Sequence, residues 1–320
     1  MTAVPVVVFA YHQVGVRCLS VLLAAGVDVR LVVTHRDDPG ENVWWESVAE
    51  LAGHARVPVI APDDPNDPGV VARVRAAAPE LIFSFYYRHI LGAELLALPT
   101  RGAYNMHGSL LPKYRGRVPV NWAVLHGEPE SGASLHRMEI RPDAGNLVDQ
   151  QRVSILPNDT AIDLFRKLVC AAERVLERSL PGLLDGSAGE TPLDLAAGSY
   201  FGGRRPEDGR IDWSRGGWQV HNLIRAVAPP YPGAWTDTPA GRLRILGSYW
   251  RDEPAAGDNV RLYWESGRCY ADCADGRRTE LTRLELAGET LDRAGFEARF
   301  GASLPLPASE RATSKETPSP

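Results

Sequence analysis

Within "YNMHGSLLPKYRG", residues 104–116, two side chains that can do chemistry sit two positions apart. Asn105 offers a carboxamide that donates hydrogen bonds without taking charge, and His107 an imidazole that moves protons near neutral pH. Residues two apart on a strand face the same side, so on an extended segment both can address one atom. Further along, "LHRMEIRPDAGNLV" carries Asp143 just before a small Ala-Gly pair. An aspartate on a neighbouring loop can hydrogen-bond the imidazole, fix its tautomer and favour its charged form. The three together suit acyl transfer to an external nucleophile. The amide would donate to the oxyanion of a tetrahedral intermediate, and the imidazole would shuttle protons between the attacking amine and the leaving group. Taken singly, each has a plainer reading. His107 reads as a structural hydrogen-bonder, Asn105 as a turn cap and Asp143 as a turn residue beside Pro142. Lys113, Arg115 and Arg117 read as solvated surface. Only the combination points to catalysis.

Competing chemistries fit less well. Ser109 lies only two residues after His107, too local for a triad assembled from separate loops, and no G-x-S-x-G elbow occurs in the chain. The eight histidines show no HExxH pattern and no clustered carboxylates, so no metal is expected. Cys18, Cys170, Cys269 and Cys273 match neither a zinc ribbon nor a CxxC motif and are expected as free thiols.

The elements that must position these groups alternate. "PVVVFAY", "VDVRLVVTH", "VPVIAP", "ELIFSFYY" and "GAYNM" read as strands. Between them "VRCLSVLLAAG", "VWWESVAELAGHA", "GVVARVRAAA" and a short stretch from about Leu91 read as helices. Alternation of this kind implies βαβ units and a mostly parallel α/β sheet, with ligand-binding loops at the carboxyl ends of its strands. Only Gly15 follows the first strand, so the GxGxxG dinucleotide fingerprint is missing. From Asn158 onward, "NDTAIDLFRKLVCAAERVLERSL" predicts a long helix capped by Asn158 or Asp159. Its apolar stripe is Ile162, Phe165, Val169, Ala172 and Leu176, and its end is set by Pro181 and Gly182. After a Gly/Ser/Ala-rich linker come short alternating runs such as "RLRILGSYW" and "NVRLYWE", which suggest a small β-rich second domain resembling an open barrel. The polar, Pro/Ser-rich end, residues 306–320, is expected to be disordered.

Composition narrows the partners. With 35 basic and 40 acidic residues the net charge is −5, which argues against a nucleic-acid binder. No signal-peptide pattern opens the chain and no apolar run is long enough to span a bilayer, so a cytoplasmic, non-membrane protein is expected.

"NMHGSLLPKYRGRVPVNWAVLHGE" followed by "LHRMEIRPDAGNLVDQ" resembles the folate-dependent formyltransferases, and the likeness runs over roughly residues 1–250. This resemblance implies a Rossmann-like formyltransferase domain (1–187), a linker (188–204) and an OB-like C-terminal domain (205–305). It also implies 10-formyltetrahydrofolate as formyl donor, with His107 the acid/base, Asn105 the oxyanion stabiliser and Asp143 the group raising the His107 pKa. Donor-binding positions carry over to His89, Ile90, Leu91, Arg117, Glu139, Ile140, Arg141, Pro142 and Asp143.

Within the family, "VVFAYHQVG", "THRDDPGEN" and "FSFYYRHIL" look like the branch that formylates UDP-4-amino-4-deoxy-L-arabinose in lipid A modification, a step of polymyxin resistance. The expected partner is therefore an amino-sugar nucleotide, and a homodimer is compatible with the family. Other amino-sugar nucleotides remain as alternative acceptors, with initiator methionyl-tRNA less favoured. Residues 201–300 hold 15 Arg plus Lys against 15 Asp plus Glu, whereas a tRNA-binding surface should be basic. A dehydrogenase is often fused to that branch. This chain shows no second GxGxxG, so the oxidative step is expected in a separate protein.

Overall fold

A computed structural model describes residues 4–307 of the 320-residue chain. The end segment expected to be disordered lies outside the described residues from position 308 onward. Leu306, by contrast, is buried in a core and its N–H bonds the Val260 carbonyl. Two compact units emerge. The first comprises residues 1–119, 131–153 and 166–201, and the second residues 120–130, 154–165 and 202–320.

In chain order the elements begin β1 (Pro5–Ala10), α1 (His12–Ala24), β2 (Asp28–Val33), α2 (Val48–His54), β3 (Val59–Ile60) and α3 (Pro68–Ala76). They continue with β4 (Leu81–Phe85), α4 (Ala93–Leu96), β5 (Gly102–His107), β6 (Arg115–Gly116), α5 (Pro119–Leu125), β7 (Glu130–Arg137), β8 (Leu147–Ser154) and α6 (Ala161–Asp185). The first unit is built on one sheet of order β3-β2-β1-β4-β5-β7-β8. Strands β3 to β5 run parallel, as their continuous apolar runs demand, and all six residues of β1 are buried. Val7, Phe9, Leu31, Ile82 and Ala103 from the strands pack with Val71, Val74, Leu91 and Leu95. β7 joins β5 antiparallel, a reversal that a βαβ reading does not anticipate.

Three local expectations are corrected. α2 is confined to Val48–His54 because Ser47 caps it, accepting the Glu50 N–H. Trp44 and Trp45 stay outside the helix, where Trp45 stacks on His12 at 3.9 Å. α6 starts after Thr160, not after Asn158 or Asp159. Thr160 and Asp163 exchange hydrogen bonds between side chain and backbone in both directions, a reciprocal cap. Asn158 is instead spent on the backbone of Trp250. Nor does Pro181 end that helix, which runs on to Asp185. A proline in the last turns forfeits one hydrogen bond, and the burial of Leu180 and Leu183 on either side compensates.

Residues 188–204, read as a linker, carry specific contacts as far as Phe201. Glu190 takes hydrogen bonds from Arg137 and Tyr104, and Thr191 pairs with Leu147. Strand β9 (Tyr200–Phe201) lies parallel to β6.

The second unit adds α7 (Gly217–Ala226), β10 (Ala234–Thr238), β11 (Gly241–Pro254), β12 (Arg261–Glu265), β13 (Arg268–Asp272), β14 (Arg277–Leu286), β15 (Glu289–Thr290), α8 (Arg293–Phe300) and β16 (Ser303–Pro305). Its main strands form a curled antiparallel sheet of order β10-β11-β14-β13-β12-β16, the open half-barrel expected from the alternating runs. Trp213, Ile224, Leu243, Ile245, Leu262 and Phe296 fill its core with Cys269 and Cys273. All four cysteines are free. Among the described residues no helix is long and apolar enough to cross a membrane.

His221, on α7, is fully buried. Its Nε2 bonds the Pro157 carbonyl at 3.0 Å and its Nδ1 pairs with Ser248 Oγ at 2.8 Å. Burial pushes its pKa down to about 4, with the Arg225 charge adding to the shift against the Pro157 bond. The unfolded chain therefore protonates first, and the stability held by neutral His221 is full above about pH 6.5 and lost toward pH 4. Urea unfolding of the wild type and His221→Gln should show a gap in midpoint at pH 7.5 that narrows at pH 4.5. A gap independent of pH would refute the neutral buried imidazole.

Candidate active site

β5 delivers Asn105 and His107 from its last three residues, at the carboxyl end of the parallel sheet. The antiparallel register with β7 sets Asn105 opposite His136 and His107 opposite Ser134. The following loop is fastened from beneath. Ser134 Oγ donates to the Ser109 carbonyl and accepts the Leu111 N–H, while Gln150 on β8 bonds both Ser134 and the Leu111 carbonyl. Leu111–Pro112 is a cis peptide. Ser109 itself is fully buried and bonds the Lys113 carbonyl at 2.6 Å, so its hydroxyl closes the turn and is not presented as a nucleophile. From the other side Ser199 Oγ accepts the Tyr114 N–H, and the Ser199 and Phe201 carbonyls accept the N–H groups of Arg115 and Arg117.

His107 is buried, and its Nε2 lies 2.8 Å from the Tyr114 carbonyl. A carbonyl only accepts, so Nε2 carries a hydrogen. Nδ1 faces Asp143 Oδ1 at 3.5 Å. The same oxygen is 3.5 Å from Nε2 of His136, and Asp143 Oδ2 accepts the Gly116 N–H at 2.8 Å. Burial by itself pushes the Asp143 pKa up. The charge of His107 and the Gly116 hydrogen bond outweigh it and hold the carboxyl well below the usual carboxylate range. An ionised carboxylate thus stands ready to balance positive charge developing on His107. The group is two imidazoles and one carboxylate, yet it does not form a metal-binding triad. One nitrogen of each ring is bonded to a carbonyl, and the other two address a single carboxylate oxygen.

Glycines let the loops close this tightly. Gly116 sits at φ +94°, and a Cβ there would lie 2.3 Å from the Phe201 carbonyl oxygen. At Gly145 the added carbon would lie 2.2 Å from the Arg137 carbonyl oxygen. Asp143 itself has φ 53°, a conformation that aspartate tolerates better than most residues.

The other sequence-derived positions lie on the stretches after β4, β6 and β7 and differ in exposure. His89, Arg117, Glu139 and Arg141 are exposed and Pro142 is half-buried. Ile90 and Ile140 are 68% and 73% exposed, with Val118 at 40% nearby in the chain. Leu91 is different: its side chain is core, so anything it offers a ligand comes from its backbone. Asn66 clamps that stretch, donating to the Ile90 carbonyl and accepting the Gly92 N–H. Arg115 is buried, contrary to a solvated reading, and its Nε has no hydrogen-bond partner among the described residues. Sequence reasoning missed His136 entirely. The only signal was its alternation with Ser134 on "SLH", and its significance depends on an antiparallel register that spacing does not reveal.

Gly116→Ala should lower stability by more than about 1 kcal/mol, since neither its positive φ nor the space admits a Cβ. Gly202→Ala, where the added carbon meets nothing within 4 Å, should be close to neutral. Thermal unfolding of the two variants side by side checks both.

Comparison with known proteins agrees with this architecture. Solved structures with a similar fold include the N-formyltransferase from Helicobacter canadensis in complex with folinic acid and dTDP-3-aminofucose. It shares 21% identity and a TM-score of 0.70, over 87% of this chain and 99% of that one. WlaRD, a sugar 3N-formyl transferase solved with dTDP and 5-N-formyl-THF, shares 21% identity and a TM-score of 0.71 over 88% and 98%. A sugar N-formyltransferase from Shewanella sp. shares 17% identity and a TM-score of 0.60 over 78% and 100%. At these identities the likeness is one of fold. The sequence also matches the formyl transferase family over residues 14–180 and the formyl transferase C-terminal domain over residues 204–290. With those matches spanning both units and the Asn105–His107–Asp143 group assembled at a strand end, the chain belongs to the formyl transferase family and is a one-carbon group transferase.

Proposed function

We propose that this enzyme transfers a formyl group from 10-formyltetrahydrofolate to the amine of UDP-4-amino-4-deoxy-L-arabinose, a reaction of lipid A modification. The observation that carries the reading is the convergence of Asn105, His107 and half-buried Asp143 at the end of β5. Three features of the site fit the ligands. Exposed Ile90, Val118 and Ile140, on the stretches after β4, β6 and β7, offer apolar surface to a planar pterin. Exposed Arg117 and Arg141 offer cationic contacts to a ligand with carboxylates or phosphates, and Arg115 has an unmet donor. The enzymes of similar fold were solved with reduced folates and dTDP or a dTDP-sugar.

The chemistry follows from the residues. The amine nitrogen bonds to the formyl carbon, and the carbonyl oxygen becomes an oxyanion that accepts an N–H from Asn105. His107 removes the proton of the attacking nitrogen and returns one to the departing folate nitrogen, with Asp143 balancing the imidazolium between the two steps. Both nitrogens of His107 are engaged in this structure, Nε2 by the Tyr114 carbonyl and Nδ1 by Asp143. Proton transfer therefore requires Nε2 to leave the Tyr114 carbonyl and give up its hydrogen, so that its lone pair faces the amine while the ring keeps a hydrogen on Nδ1 toward Asp143.

Incubation of the purified protein with both substrates, read by mass spectrometry, should add one formyl group to the sugar nucleotide. A dTDP-linked 3-amino sugar is the second acceptor to test, given the substrate in the Helicobacter complex. Transfer to that sugar alone would replace the acceptor and keep the chemistry, whereas transfer to initiator methionyl-tRNA alone would overturn the sugar reading. His107→Ala should cost roughly 10²- to 10⁴-fold in kcat, and Asn105→Ala on the order of 10²- to 10³-fold. Near-normal turnover of His107→Ala would refute the assigned roles.

A further inference from the structure

His136 is 1% exposed and reaches no ligand-accessible surface, yet it touches two of the three groups on which formyl transfer is proposed to depend. Its Nδ1 lies 2.8 Å from the Arg137 carbonyl oxygen, which only accepts, so Nδ1 carries a hydrogen. Its Nε2 lies 3.1 Å from Nδ2 of Asn105, an atom that only donates. The two contacts are satisfied together in one state alone, a neutral ring with hydrogen on Nδ1 and a free lone pair on Nε2. In that state one N–H of the Asn105 amide is anchored to His136 and its orientation is fixed, leaving the second N–H for another acceptor. The 3.5 Å contact from Nε2 to Asp143 Oδ1 then carries no hydrogen, and the carboxylate is left to His107.

Protonation of His136 inverts this arrangement. A hydrogen on Nε2 would oppose the Asn105 amino group and would find acceptors in Asp143 Oδ1 and, after a turn of the amide, in the Asn105 oxygen. The amide would then direct its NH2 differently, and Asp143 would be shared by two cations. The groups facing His136 are few. From β5 it meets Asn105 and His107, whose ring centroid is 6.5 Å away, and from the loop after β7 it meets Asp143. The adjacent guanidinium of Arg137 is held by Glu190 and Tyr104.

We propose that His136 is a positioning residue: as a neutral Nδ1–H tautomer it aligns the Asn105 amide to donate to the oxyanion and reserves Asp143 for His107. This rests on the formyl-transfer reading for its kinetic consequence, though not for the state of the ring.

Two variants and one spectroscopic measurement test it. His136→Gln supplies a permanent acceptor near the Nε2 position that does not protonate. It should keep kcat within about threefold of wild type at pH 7.5. His136→Leu removes the acceptor and leaves the Asn105 N–H unmatched in a buried setting, so kcat should fall about tenfold or more, with KM for both substrates little changed. Unfolding curves accompany both variants. Folded His136→Leu with wild-type kcat overturns the proposal, as does folded His136→Gln that is no better than His136→Leu. Ring nitrogen chemical shifts of His136 at pH 7, measured by NMR on labelled protein, should show hydrogen on Nδ1 and none on Nε2. A doubly protonated ring or the opposite tautomer overturns the proposal even where no turnover is measured. Absence of formyl transfer by the wild type, with the expected shifts present, would fault the functional reading and leave the state of His136 standing.

Discussion

A carboxylate taken out of water must be met by hydrogen bonds and opposite charge, and the organisation of the first unit follows from meeting that demand at Asp143. No single element supplies enough. β5 brings His107, and β6, paired with β9, brings the N–H of Gly116. Each contribution imposes a local requirement in turn: positive φ at Gly116, close approach at Gly145, and Ser134 with Gln150 beneath the "SLLP" turn. The amide and imidazole on β5 are thus fixed in place by solving a solvation problem. The ionised state of Asp143 is a by-product of the same contacts.

The second unit solves a similar problem with the opposite sign. Arg225 on α7 is 2% exposed, and its pKa is pushed down to about 10 by burial. Its guanidinium is met mainly by backbone oxygens, those of Asp159, Leu156 and Val124, with Asn222 Oδ1 alongside and the Trp218 ring 5.2 Å away. Carbonyl dipoles from residues far apart in sequence are gathered by one cation, so α7 is tied to residues 120–130 and 154–165 of the same unit. The planar fork of arginine suits this task better than a lysine would, because its donors leave in several directions at once.

Much of the scaffold could be read from the chain because its signals are local. The apolar runs of β1 and β4 announce strands covered on both faces, and the stripe on α6 announces its buried side. That Asn105, His107 and Asp143 could converge was legible for a similar reason, since amide and imidazole share one strand face and the aspartate precedes a tight Ala-Gly pair. What escaped depends on contacts distant in sequence. The antiparallel placement of β7, and with it His136, has no signature in periodicity. Thr160 displaced Asn158 as a cap because Asn158 found the backbone of Trp250, 92 residues away. The stretch around Glu190 looked like a connector by composition, and only its partners Arg137, Tyr104 and Asn146 reveal that it braces the sheet.

The pairing of β6 with β9 also bears on biogenesis. Tyr114 and Ser199 are 85 positions apart, and the N–H groups of Arg115 and Arg117 wait for the carbonyls of Ser199 and Phe201. On the ribosome, the loop between His107 and Arg117 emerges long before those acceptors do. Until residue 201 leaves the exit tunnel, a nascent chain can assemble the parallel strands but cannot finish the loop that follows His107. The closed form of that loop is therefore among the last features the first unit acquires as it is made.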